Sequence, residues 1–367
     1  MELLKCELDT EQATIASYLD GNLLVLSGPG SGKTRVITQR IAYLHRIGVI
    51  PRGSRALAIT FTNKAATEMR DRLALLSDVA SRNSTILTFH KLGERILRAY
   101  GYLLGLRRDF VIYDGSMQVA AVRSAVKDLG LQSVDLPDVT RTIDKLKSQH
   151  GSGENVRTVL STGQESALAD IISGYESLLR KSNAVDFSDL IWMPARIFQE
   201  HPTLSRVFQD LFPHVMIDEC QDTNQTQLSL VSEVFARSRS VVFAVADEDQ
   251  SIYTWRGARI QNLKDFLTIF QAKLTHLSRN YRCHPSIIRA ADALIIQSKD
   301  RLKTNGAISC RPDDGRRCVV RVDVSNVLAE GDYVAKKVVE LKTRGVILSW
   351  GEISVLSRNW RHLPASY

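Results

Sequence analysis

Short apolar runs recur along the chain, each ending in small, polar or charged residues. They are Leu23–Leu26, Arg55–Phe61 (RALAITF), Ser84–Phe89 (STILTF), His214–Ile217, Ser240–Ala246 (SVVFAVA) and Lys273–Leu277. Runs this short and this apolar predict strands buried on both faces of a parallel sheet. Between them the spacing becomes helical. Residues Glu7–Asp20 offer Leu8, Ala13, Ile15, Ala16 and Leu19, Val36, Ile37, Ile41 and Leu44 form a second periodic set, and Ala65–Leu76 a third. Strands alternating with helices predict an α/β fold whose strand ends gather on one edge of the sheet, where ligands bind. From Gly93 to Pro194 strand-like runs are scarce and helical spacing dominates, as in Val119, Val122, Val126 and Leu129. This stretch reads as a helical insertion, with Gly151-Ser152-Gly153 as a loop.

The first apolar run leads into Ser27-Gly28-Pro29-Gly30-Ser31-Gly32-Lys33-Thr34. Strand, glycine-rich turn and helix in that order let backbone N–H groups and a helix N-terminus converge on a phosphate. Lys33 is expected to reach the β- and γ-phosphates of a nucleotide, and the Thr34 hydroxyl to hold Mg²⁺. Ser27 stands where the G-x-x-x-x-G-K-[ST] pattern has glycine, a small-for-small change. The run His214–Ile217 delivers Asp218 and Glu219 to the same edge. Asp218 is expected to hold Mg²⁺, directly or through water, and Glu219 to orient and deprotonate an attacking water. Gln250, after Ser240–Ala246, is placed to sense the γ-phosphate, and the amide of Gln12 suits an adenine edge. Tyr253, Trp255 and Arg256 offer stacking and charge to single-stranded nucleic acid. Taken alone, Gln12 is also an ordinary surface glutamine. The strand ends Thr60–Lys64 and Thr88–Lys91 are ordinary polar turns as much as backbone-gripping segments.

Composition narrows the class. The 367 residues are 44% hydrophobic and 24% charged, as in a soluble globular protein of two or three domains. A net charge of +8 favours a polyanionic partner. Arg95, Arg98, Arg107, Arg108, Arg123, Lys127, Arg141, Lys145 and Lys147 concentrate positive charge in the helical stretch. No apolar run is long enough to span a membrane, and the N-terminus has no secretory pattern, so an intracellular location without membrane association is expected. Five dispersed cysteines without a C-x-x-C pair fit reduced thiols rather than disulfides or a zinc site.

Together the motifs become specific. In order they are Gln12, GPGSGKT, AITFTNKAATEM, TFHKLG, DFSDLI (Asp186–Ile191), MIDECQDTNQTQ, DEDQSIYTWRGA and LSRNYRCHP. The series closely resembles UvrD/Rep-type superfamily 1 DNA helicases, over about Leu8 to Arg358. The resemblance implies two RecA-like lobes closing on ATP and a motor moving 3′ to 5′ along single-stranded DNA toward duplex junctions. It implies that Arg35 flanks the nucleotide, that Tyr281 stacks on the adenine read by Gln12, and that Arg282 is an arginine finger. It also implies that Phe61, Asn63 and His90, with Tyr253 and Trp255, lie along the DNA. Cys220 and Cys283 stand where the family commonly has an aromatic and a serine.

The expected organisation is therefore a discontinuous RecA-like P-loop lobe (1–92 and 195–275), a helical insertion (93–194) and the start of a second RecA-like lobe (276–367). In that last part the runs Cys318–Val324, Val334–Leu341 and Glu352–Leu356 stand out, and the family's later motifs do not follow. Two expectations stay open at this point: an ATP-hydrolysing DNA helicase, or an ATP- and DNA-binding module that relies on a protein partner for the remaining motifs. A P-loop kinase of small metabolites leaves the motifs between Phe61 and Trp255 unexplained.

Overall fold

In the computed structural model the described residues are 7–132, 134–150, 166–252, 260–298, 301–303 and 306–357. The strands are β1 (Leu23–Ser27), β2 (Ala56–Thr60), β3 (Ser84–Thr88), β4 (Val111–Ile112), β5 (Ala184–Val185), β6 (His214–Ile217), β7 (Val241–Ala246), β8 (Lys273–Leu277), β9 (Arg279–Asn280) and β10 (Ile308–Ser309). A six-stranded sheet runs in the order β3-β2-β6-β7-β1-β8, and every pairing in it is parallel. This is the α/β architecture that the apolar runs predict, and it is consistent with the RecA-like domain that the resemblance implies. Each strand of this sheet falls within or within one residue of its run. Phe89 differs because Thr88 caps a helix there, its hydroxyl accepting from the Lys91 N–H.

Alternate strand residues face opposite layers. Leu24, Leu26, Leu57, Ile59, Val215, Ile217 and Val242 join Leu92, Ile96, Phe198, Val231 and Phe266 in one core. Leu23, Val25, Ala58, Met216, Phe243 and Val245 join Val36, Ile37, Ile41, Met69 and Leu73 in the other. Burial on both faces explains why the strands read as unbroken apolar runs.

The stretch between β3 and β6 is mainly helical. Gly115–Asp128, Leu136–His150 and Ser166–Lys181 surround a core of their own built on Val122, Ile143, Ile172, Tyr175 and Leu179. It also holds the two-residue pair β4–β5, too short to leave a sequence signal. Gly151–Gly153 lie outside the described residues.

A buried ion cluster joins this helical part to the motif Asp186–Ile191. Lys147 is fully buried, and its Nζ donates to Asp186 Oδ2 and Asp189 Oδ1, each at 2.6 Å. Tyr175 Oη and Trp192 Nε1 also donate to these carboxylates. Burial opposes the lysine's charge, but Asp186, Asp189 and Glu176 outweigh it and raise its pKa. Losing one partner of such a cluster costs far more than the cluster itself contributes.

The chain divides into two compact units after Asp313. In the second, among the described residues, the elements are the helix Val327–Thr343 and a 3₁₀ turn at Trp350–Glu352. The run Cys318–Val324 forms no strand among the described residues.

One glycine fixes how two helices meet. A Cβ on Gly93, in the helix Phe89–Tyr100, would lie 1.6 Å from the Leu190 carbonyl oxygen of the helix Asp189–Glu200. Gly93→Ala is therefore expected to destabilise the fold by about 3 kcal/mol through forced separation of the helices. Gly115→Ala, which meets nothing within 4 Å, is the matched control. Denaturant melts of the two variants check this, and equal midpoints would contradict it.

Candidate functional site

The phosphate loop leaves the carboxyl end of β1, between β7 and β8. Gly30 and Gly32 have φ of 70° and 84°, a left-handed conformation that suits glycine. The loop is also crowded. A Cβ on Gly30 would lie 2.6 Å from Arg282 Cβ, and one on Gly32 would lie 2.8 Å from Gln12 Nε2. Gly32 is the N-cap of the helix Lys33–Arg46 and has no side chain to satisfy the first-turn N–H groups. Those donors and the helix dipole are available to an anion.

Side chains from other strand ends meet this loop. Lys33 Nζ lies 3.3 Å from Asp247 Oδ2, just past β7. Gln250 Nε2 donates to the same carboxylate oxygen at 2.6 Å. Past β6, Asp218 is buried and Glu219 adopts φ 50° and ψ 46°, a left-handed conformation uncommon outside glycine. Gln221 braces both acids' surroundings: its Nε2 donates to Glu219 Oε2 at 2.8 Å, and its Oε1 accepts from the Asp247 N–H at 2.8 Å.

The electrostatics follow from crowding. Burial, then the charge of Glu219, pushes the Asp218 carboxyl up to about 7, against the pull of Lys33. Burial and Glu219 likewise push Asp222 up to about 7. Asp247 is raised by burial, with Lys33 opposing. One oxygen each of Asp222 and Asp247 is buried without a hydrogen-bond partner among the described residues. Excess carboxylate with unused oxygens, beside the helix that carries Thr34, fits a divalent cation. Among the described residues no three His, Cys, Asp or Glu side chains form a cage. Mg²⁺ is usually held by one or two carboxylates plus water and substrate phosphates. Thr34 and Asp218 are the candidate ligands, and the ion would supply charge neutralisation at the phosphates.

The expected nucleotide-binding residues converge here. Gln12 is buried and donates to the Ser31 carbonyl at 2.8 Å, so its amide already touches the loop. The Tyr281 N–H donates to the Gly30 carbonyl at 2.9 Å, while the residue is 39% exposed, which leaves it available for stacking. Ser27 is buried on the Ala246 carbonyl, and Ser31 Oγ closes the loop on the Gly28 carbonyl. Asn280 Nδ2 donates to the Pro29 carbonyl, the next residue of the loop. Arg35 is exposed and donates to the Glu7 carbonyl, and Arg282 is exposed beside Gly30.

Of the expected DNA-contacting residues, Phe61, Asn63 and His90 lie at other strand ends of the same sheet. Phe61 and Asn63 follow β2, and Asn63 opens a helix capped by Thr62. His90 follows β3, with its ring edge-on to Phe187 at 5.8 Å. Tyr253, Trp255 and Arg256 lie outside the described residues.

Four residues of this site were not singled out from sequence. Asn280 is 1% exposed, and besides the Pro29 bond its Oδ1 accepts the N–H groups of Arg282 and Cys283. It docks the segment bearing Tyr281 and Arg282 onto the phosphate loop. Asp247, Asp222 and Gln221 complete the acid crowd. Their positions directly after apolar strands were the available signal.

Residues 8–271 match the family described as UvrD/REP helicase N-terminal domain. The chain is 37% identical over 307 residues to the ATP-dependent DNA helicase PcrA of Leuconostoc citreum, covering 82% of this chain and 41% of that protein. It is 33% identical over 341 residues to PcrA of Bacillus subtilis, covering 92% and 46%. With DNA helicase II of Haemophilus influenzae the identity is 36% over 309 residues, covering 83% and 42%. The chain thus spans less than half the length of these relatives.

Asp218 and Asp222, with pKa values raised to about 7, are partly protonated at neutral pH. A cation that restores their charged forms must displace protons. Mg²⁺–nucleotide binding at pH 6.5 is expected to release on the order of one proton, and less at pH 8.5. Calorimetry in buffers of different ionisation enthalpy measures this; no release at pH 6.5 would contradict the crowding.

Proposed function

This chain belongs to the UvrD/REP helicase family, and on that premise we propose that it binds ATP with Mg²⁺ and hydrolyses it to move along DNA. The observation that carries the reading is the meeting of Lys33, Asp247, Gln250, Asp218 and Glu219 at adjacent strand ends beside an uncapped helix N-terminus. In the proposed reaction Lys33 gives up Asp247 for the β- and γ-phosphates, while Thr34 and Asp218 hold Mg²⁺. Glu219, braced by Gln221, orients water and takes its proton. Gln250 reports the γ-phosphate, and Arg282 stabilises the charge that builds on it. Gln12 and Tyr281 bind the base, and Arg35 flanks the nucleotide.

The substrate is proposed to be single-stranded DNA next to duplex junctions, with movement 3′ to 5′. Phe61, Asn63 and His90 on neighbouring strand ends, a net charge of +8, and relatives named as DNA helicases support DNA as the substrate. No helix among the described residues is long and apolar enough to cross a membrane.

The test is ATP hydrolysis by the purified chain with and without single-stranded DNA, beside Glu219→Gln. DNA stimulation that falls by about 10²–10⁴-fold in the variant is expected, because a general base contributes on that order. Hydrolysis unaffected by Glu219→Gln would sink the assignment. Tight binding of both ligands without turnover would favour a module that needs a further protein partner.

A further inference from the structure

A second buried lysine approaches the phosphate loop from outside the motif series. Lys303 is 8% exposed, yet its Nζ lies 3.6 Å from where a Cβ on Gly28 would stand. The acid turn after β7 holds its segment in place. Glu248 accepts the N–H groups of Leu302 and Lys303, at 2.7 and 2.6 Å. Asp249 takes a two-pronged pair from Arg301, Nε to Oδ1 and Nη2 to Oδ2, both at 2.9 Å.

Asp249 is therefore already neutralised by Arg301. Among the described residues the Lys303 ammonium has one ion-pair contact, at 3.5 Å, to the Asp249 oxygen that Arg301 already uses. An ammonium has three donors, and leaving a buried one so weakly engaged is costly. Its charge nonetheless reaches the site: burial raises the Asp247 carboxyl, and Lys303, like Lys33, opposes that rise at the group that Lys33 and Gln250 both touch. Lys303 thus stands beside the end of the loop where Lys33 and Gln250 are placed for the outer phosphates.

We propose that Lys303 is a phosphate-binding residue of this site, leaving Asp249 to take the terminal phosphate of a nucleoside triphosphate and so distinguishing triphosphate from diphosphate. This rests on the reading of Ser27–Thr34 as the nucleotide site. Because Glu248 and Asp249 also hold Arg301 and Leu302, loss of the terminal phosphate would return Lys303 to the acid turn and retighten that segment. A lysine present only to anchor the segment would instead affect both nucleotides alike.

The test is equilibrium binding of Mg²⁺ with the β,γ-imido analogue of ATP, and of Mg²⁺ with ADP, to the full chain. Lys303→Gln is expected to weaken the triphosphate by about ten- to a hundredfold, the worth of one charge-assisted hydrogen bond, and to leave ADP within about twofold. Lys303→Arg should restore most of the triphosphate affinity. Equal losses for both nucleotides, or none, would overturn the proposal. If Lys303→Gln does not fold, acetylation of Lys303 in the unaltered protein decides: slowing by the triphosphate analogue alone supports the proposal, and equal slowing by ADP overturns it. Lys33→Ala separates the two levels of the reading. If the unaltered chain and Lys33→Ala bind nucleotide equally, the loop assignment fails and this inference with it. A selective loss in Lys303→Gln, beside loss of both nucleotides in Lys33→Ala, supports both.

Discussion

Crowding of negative charge around one ammonium governs this site. Asp218, Glu219, Asp222 and Asp247 are brought to one edge of a parallel sheet, and Lys33 is the cation that meets Asp247 there. Burial raises the carboxyls of Asp218, Asp222 and Asp247, so the arrangement is poised to accept positive charge. A nucleotide with its metal would relieve that crowding and release Lys33 toward phosphate. The same crowding that costs stability without ligand makes the site responsive to it.

The sheet achieves this by topology. Parallel pairing of β6, β7 and β1 puts the acid motif, the acid turn and the phosphate loop at neighbouring carboxyl ends. β8 pairs with β1 and delivers Ser278–Arg282 to the far side of the loop, where Glu11 accepts from Ser278 and Asn280 bonds Pro29. Glu248 and Asp249 extend the contact to Arg301–Lys303. Each segment expected to sense the nucleotide is thus tied to another by a polar bond, wholly or partly buried, which gives a change at the phosphates a physical route outward.

Much of this was legible in the sequence because its signals are local. Glycines at 30 and 32, an apolar run before them and helical spacing after them specify a phosphate loop without tertiary knowledge. Likewise, apolar strands ending in acids specify an edge. What escaped were partnerships between distant residues. Asn280 meets Pro29 across 251 positions, and Lys147 meets Asp189 across 42. Asn280 lies inside the LSRNYRCHP motif, but nothing local names Pro29 as its partner, and a lysine in a basic helix reads as solvated. Lys147 belongs to the basic helical stretch yet is fully buried, and helical spacing does not reveal its facing pair of aspartates. The strands β4 and β5, two residues each, are defined by each other alone.

The central claim is that Ser27–Thr34 and the surrounding acids form one nucleotide-responsive unit. Amide hydrogen exchange with and without Mg²⁺ and a non-hydrolysable ATP analogue tests it directly. The account predicts slowed exchange at 27–35, 218–222 and 247–250 together, lost in Lys33→Ala. Protection confined to other segments, or none in a folded chain at saturating nucleotide, would contradict it.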